Sequence, residues 1–197
     1  MRRITLFVED FGHEAVLRPL LENRFAPQYG VEVSVRDYSV RGGYGVVENE
    51  FRQYVNELLS YEERLPDLVV VATDANCHGF LERRRRMQAV AESIKDSVVY
   101  AIPDPHIERW LLLDAAAFKS VLGEPCRTPD LKCNRDRYKS LLAQAVQRCG
   151  TTPLLGGVEH AEDIVRHMDL ERVRRRDPSF GALLKELNTR FRLWARS

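Results

Sequence analysis

Residues 67–76 read Asp-Leu-Val-Val-Val-Ala-Thr-Asp-Ala-Asn, and this stretch decides the fold. Three consecutive valines bounded by apolar neighbours make a short run with no polar alternation. Such a run fits a strand covered on both faces, as in a parallel sheet. The run ends abruptly on Asp74, with Asn76 one residue beyond. Working outward, ITLFVE (4–9) is a second short apolar strand, and VEVSVRDYSV (31–40) alternates as a half-buried or edge strand does. SVVYAI (97–102) is a fourth strand, closed by PDP at 103–105. Between them lie helical patterns: Val16, Leu17, Leu20 and Leu21, with Pro19 as a kink or a late start; Val46 to Leu59; and a charged helix over 79–94. HIERWLLLD (106–114) opens a further helix, with Pro105 suited to its first turn. Alternating strands and helices predict an α/β fold of Rossmann type, about four mainly parallel strands sandwiched by helices. After residue 114 only helices are expected, at 115–122, 134–149, 158–168 and 178–195. The division is therefore an α/β core over 1–114 and a helical C-terminal extension over 115–197, packed on that core.

The totals agree with a globular chain. Of 197 residues, 44% are apolar and 30% charged, and the net charge of +1 provides no overall field for nucleic acid. Basic residues do cluster locally, in Arg83–Arg86 and in RVRRR at 172–176. The N-terminus has too short an apolar stretch for a signal peptide, and no segment reaches the length of a membrane span, so a cytoplasmic protein is expected, with no membrane partner. Cys77, Cys126, Cys133 and Cys149 form no CxxC pair. Their spacing does not support zinc, and reduced thiols are expected. RGGYG (41–45) is neither GxGxxG nor a P-loop; Gly42 and Gly43 read as a turn.

The acids carry the functional signal. In an open α/β sheet, ligands bind beyond the carboxyl ends of the strands. Glu9 ends the first strand, Asp74 and Asn76 the third, and Asp104 the fourth; Glu14 and Glu108 fall on the first turns of the helices that follow. Each has a bland reading: Asp74 as a helix cap, Asp104 as a turn residue, Glu14 as a favourable first-turn charge. Glu9 has no such local role. Gathered together, the carboxylates would repel one another, and a divalent cation relieves that repulsion. Mg²⁺, or Mn²⁺, suits hard oxygen ligands, with Asn76 offering a neutral carbonyl oxygen. The expected metal set is Glu9, Glu14, Asp74, Asn76, Asp104 and Glu108. His13, His78 and His106 follow the strands and could contact phosphate. Arg83, Arg84, Arg174 and Arg175 are candidate nucleic-acid contacts; for Arg83–Arg86 the plainer reading is a solvated helix face. Lys132, Arg135, Arg137 and Lys139 precede or open a later helix, and a lysine there could stabilise charge on a phosphoryl transition state.

VEDFGHE (8–14) resembles the opening motif of Toprim domains in OLD-family nucleases, and DAN (74–76) stands where those carry Asp-x-Asp. PDPHIERWLLLD (103–114) and DLERVRRRDPSFGALLKEL (169–187) resemble segments of small stand-alone bacterial Toprim-like proteins. The resemblance implies a Toprim fold and a metal-dependent nuclease acting on DNA or RNA, tRNA included. Glu9, Asp74, Lys132 and Lys139 become the catalytic group, with Glu14 and Glu108 as further ligands. It also implies an anti-phage effector working with a separate ABC- or AAA-type ATPase, since this chain has no Walker A motif; an oligomer is compatible with the sequence. Two departures matter: Asn76 replaces the second acid, and Asp10 stands where the family pattern has Gly. Both leave room for an inactive domain, and Asn76 favours the alternative of an inactive Toprim-like partner of an ATPase or of nucleic acid. A phosphotransfer domain using Asp74 as nucleophile is a third reading.

Overall fold

In a computed structural model, residues 1–40, 44–60, 65–134 and 136–197 are described. Gly42, Gly43 and Arg135, singled out above, lie outside them. The first half alternates as expected. Strand β1 (Arg2–Val8) leads to α1 (Phe11–Pro19), a π-helical stretch over Leu20–Phe25 and α2 (Ala26–Tyr29), then β2 (Val33–Ser39). Helix α3 (Tyr44–Ser60), β3 (Leu68–Ala72), α4 (Phe80–Val90), a 3-10 stretch over Glu92–Ser97 and β4 (Val98–Ala101) follow. The second half is helical: α5 (Ile107–Leu112), α6 (Ala115–Leu122), α7 (Arg137–Arg148), α8 (Ala161–His167), α9 (Leu170–Arg176) and α10 (Pro178–Trp194). The wide π turns begin directly after Pro19. Proline has no N–H to give to the preceding turn, and the helix loosens there instead of ending.

The four strands form one sheet in the order β2-β1-β3-β4, and all three pairings are parallel. This is the α/β architecture the alternation predicts. Side chains alternate between the faces. Ile4, Leu6, Val8, Leu68, Val70 and Ala72 join one cluster, while Phe7, Val69 and Val71 join the other. The first cluster is continuous with Phe118, Leu142, Ile164, Phe180, Leu184 and Phe191 of the C-terminal helices. The second holds Val47, Phe51 and Val55 of α3 and Met87 of α4. Edge strand β4 does not present a bare ladder: Tyr100 N–H donates to Glu186 Oε2 on α10 (3.1 Å), and Arg84 pairs with the same carboxylate.

Three local expectations are corrected. Pro105 is not in the first turn of α5; it follows a cis peptide after Asp104 and precedes the cap, His106. Residues 170–176 form α9, started by Asp169, whose side chain accepts from Arg172 N–H (2.9 Å). Cys77 and Cys133 are not free thiols but a disulfide across 56 residues, leaving Cys126 and Cys149 free. No sequence spacing marks that pair, because the loop carrying Cys133 returns to the β3 exit only in the folded chain.

Candidate functional site

Strand order places β1 and β3 side by side at the centre, with the chain passing from β1 out to β2 on one flank and then crossing from β2 to β3 on the other. That is the topological switch point, where α/β sheets open a crevice beyond the carboxyl ends of their strands. Glu9 follows β1 and Asp74 follows β3, so both stand at that crevice. Beyond the strands the ladder continues: Glu9 N–H donates to Ala72 O (3.1 Å), Thr73 N–H to Ala101 O (3.2 Å), and Ala75 N–H to Pro103 O (2.8 Å). These bonds fix the direction of each acid.

Glu9 Oε2 accepts from the Thr73 hydroxyl (2.6 Å) and from Asp74 N–H (3.1 Å). Its Oε1 has no partner among the described residues. Asp74 is 6% exposed. Its Oδ1 accepts from Ile107 N–H (2.9 Å) and its Oδ2 from His106 Nδ1 (2.9 Å). His13 has no exposed surface, and it bridges two acids. Its Nδ1 lies 2.8 Å from Asp10 Oδ1, and its Nε2 lies 3.2 Å from Asp74 Oδ1, close enough for an ion pair though not aligned as a hydrogen bond. Asp10 also caps α1 by accepting from His13 N–H (3.2 Å), and Lys139 Nζ of α7 approaches its Oδ2 (3.9 Å). Gly12 permits this arrangement: a Cβ there would meet Asp10 Oδ1 at 3.2 Å and Ile107 Cγ2 at 3.3 Å. The result is a row of alternating charge, Lys139–Asp10–His13–Asp74–His106.

The titrations follow from the row. Burial opposes charge on His13, but Asp74 and Asp10 outweigh it and raise its pKa well above the usual histidine value. Burial likewise pushes the Asp74 carboxyl up, and the two histidines overcome this and hold it below the ordinary carboxylate range. Asp10 is also held well below the ordinary carboxylate range, burial being outweighed by His13. His106 is raised because Asp74 outweighs burial. Glu108 differs. It is 3% exposed, burial and the nearby Asp74 charge both push its pKa up, and its Oε2 has no hydrogen-bond partner. Lys139 is raised, burial being overcome by Glu108, Asp10 and Asp74. Glu9, Asp10, Asp74, Glu108 and Lys139 therefore share one edge of the sheet.

Other expected residues stand apart. Glu14 pairs with Arg18 along α1 (3.3 Å). Asn76 takes a left-handed backbone (φ 51°), which asparagine tolerates, and its amide donates to Asp74 O (3.3 Å). Asp104 Oδ2 accepts from Phe80 N–H (3.3 Å), and burial pushes its pKa up. Lys132 is exposed and paired with Asp130 (2.9 Å). His13, buried, has no surface to offer nucleic acid, whereas His78 is exposed. Arg83 is also buried, and its Nε donates to Asp74 O (3.0 Å), so it braces the β3 exit. Arg84 pairs with Glu186, and Arg174 with Glu171 (2.8 Å), while Arg175 is exposed. Asp10 and Thr73 are the site residues that sequence reasoning gave no role; the capping position of Asp10 was the only available signal.

The fold and the switch-point acids define the class: a parallel α/β domain with an acidic and histidine-rich site at the carboxyl edge of its sheet. Residues 8–188 match a domain of unknown function, DUF4276, and the chain belongs to that family. No curated protein and no solved structure matches it. Among the described residues no helix is long and apolar enough to cross a membrane, and no three His, Cys, Asp or Glu side chains are grouped closely enough to hold a metal ion as they stand.

Proposed function

We propose that the protein is a Mg²⁺-dependent phosphodiester hydrolase, a nuclease acting on DNA or RNA. The observation that carries this reading is the meeting of Glu9 and Asp74 at the switch point, joined directly by the Asp74 N–H···Oε2 bond. Mg²⁺ commonly binds through only one or two carboxylates, completing its shell with water and substrate phosphate, so a pre-formed three-ligand cage is not required. Two features fit such an ion: Glu9 Oε1 is uncommitted, and Glu108 Oε2 is buried without a donor. Glu9 and Glu108 would hold it, with Asp74 as the third carboxylate. When bound, the ion supplies charge neutralisation on the phosphate and a more acidic water.

The remaining roles belong to the chain itself. Thr73 and the Asp74 amide orient Glu9. His106, hydrogen-bonded to Asp74 through Nδ1, is positioned to hold or pass a proton at Nε2. Lys139 places a cation at the same edge for the charge that develops on phosphate. By the Toprim resemblance, the natural setting is an anti-phage effector with a separate ATPase subunit.

One observation favours a second reading, a non-catalytic partner of an ATPase or of nucleic acid. Asp74 is already engaged by His106, His13 and the Ile107 amide, so its charge is balanced without a metal. Nuclease assays on plasmid, single-stranded DNA and tRNA with Mg²⁺ or Mn²⁺ separate the two. Cleavage lost in Glu9→Gln, with unchanged folding, is the expected result. Cleavage by Glu9→Gln at the wild-type rate refutes the nuclease reading, and metal-independent binding with no cleavage by the wild type supports the partner.

A further inference from the structure

Beside the acidic row lies a separate cavity of about 800 Å³, a size suited to a small organic ligand. It opens at the same edge of the sheet: His78, Gly79 and Phe80 enter it four to six residues after Asp74, and Asp104 enters from the β4 exit. Three kinds of group line it, beside the Glu82–Arg86 ion pair (3.2 Å). Phe80, Leu81, Leu131 and Pro178 supply apolar surface, and Leu81 and Leu131 are 72% and 62% exposed. Arg85 and Arg176 supply positive charge. Asp104 supplies an acceptor, since Oδ2 takes only the Phe80 N–H and Oδ1 has no partner among the described residues.

These features are not consumed by the fold. Arg85 is exposed with no partner among the described residues. Arg176 is anchored through Nη1 to Leu113 O (2.7 Å) and Thr128 Oγ1 (3.3 Å). The Phe80 ring is steadied by Arg84, whose guanidinium carbon is 5.8 Å from the ring centroid. Arg109 also reaches the cavity, but it is spent on the buried pair with Asp177.

A flat apolar face, a carboxylate acceptor and guanidinium groups match one ligand chemistry together. Aromatic and aliphatic walls take the face of a nucleobase whatever its sequence. A carboxylate accepts from an exocyclic amino group, and arginine grips phosphate in two-pronged fashion. We infer that this cavity binds a single nucleotide unit, with an amino-bearing base against Phe80 and toward Asp104 and its phosphate at Arg85 and Arg176. The inference deepens the nuclease reading and rests on it for its biological sense: the unit bound would be an unstacked nucleotide beside the bond to be cut.

The test does not depend on cleavage. The full chain is titrated, in EDTA, with AMP, CMP, GMP, UMP, the matching uncharged nucleosides and inorganic phosphate, followed by calorimetry and by two-dimensional NMR. Saturable binding of an amino-bearing monophosphate is expected. It should weaken at least tenfold in Phe80→Ala, in Asp104→Asn and in Arg85→Ala, and be unchanged in Glu9→Gln. Arg85→Ala removes an exposed, unpartnered side chain, so misfolding does not confuse it. No binding at 10 mM, binding unaltered by all three substitutions, or phosphate alone binding as tightly as the nucleotides overturns the inference. Nucleotide binding without nuclease activity would refute the nuclease reading alone, and cleavage without nucleotide binding would refute this inference alone.

Discussion

Replacing Asp74 by alanine tests the site and the fold together. The carboxylate is buried and has two donors, the Ile107 amide (2.9 Å) and His106 Nδ1 (2.9 Å), and an ion-pair partner in His13 Nε2 (3.2 Å). Alanine leaves the Ile107 N–H, in the first turn of α5, without an acceptor, at a cost of about 1–3 kcal/mol. It also takes from His13 one of its two carboxylates. Breaking one side of a buried ion pair costs about 3–5 kcal/mol when the other charge is stranded, but here Asp10 remains, so the smaller end applies. A net loss of about 4–6 kcal/mol is expected, a large share of the roughly 5–15 kcal/mol that holds a domain folded. Asparagine keeps an acceptor for Ile107 and should lose about half as much. Urea unfolding at pH 7, followed by the fluorescence of Trp110 and Trp194, reads both variants, with an unchanged m-value as the two-state check. Asp74→Ala within about 0.5 kcal/mol of wild type, or indistinguishable from Asp74→Asn, would refute the account of Asp74 as the hub of the row. The consequence for function is practical: Asp74→Asn, not Asp74→Ala, is the variant to assay for activity.

The sign of the His13 shift sets a pH dependence. Its folded pKa is raised, so its contribution is complete below the unfolded value of about 6.5 and is lost as pH rises through the folded pKa. The stability gap between wild type and His13→Gln should therefore narrow on the alkaline side; a gap that widens there contradicts the bridge. Asp114 has the opposite sense, since burial is outweighed by its backbone donors and its pKa is lowered; its contribution is present above about pH 4 and lost in acid. Asp114 accepts from Asp169 N–H (2.8 Å), Ala116 N–H (3.1 Å) and Arg172 (2.8 Å), and Asp114→Ala should cost about 2–3 kcal/mol by urea unfolding at pH 7. Unfolding of the oxidised protein should exceed that of Cys77→Ser by up to about 4 kcal/mol from loop closure over 56 residues, and mass spectrometry after thiol alkylation should count two free thiols before reduction and four after.

What the sequence determined by itself was the backbone. The valine run of β3, the apolar run of β1 and the helical spacing between them predict a mainly parallel sheet, because burial on both faces leaves a periodicity readable within a few residues. The placement of Glu9 and Asp74 at strand exits was legible for the same reason: an abrupt end to an apolar run is a local event. Tertiary structure alone decided the partners. Glu14 turns to Arg18 one turn along its own helix, whereas Asp10, which had read as a departure from a motif, anchors His13. Lys139 reaches the site from α7, 65 residues beyond Asp74, and Asp104 turns into the neighbouring cavity. Cys133 meets Cys77 only because its loop folds back across the β3 exit. Strand and helix are set by short-range periodicity, but the pairing of a side chain depends on which distant element packs against it, and no spacing along one sequence records that.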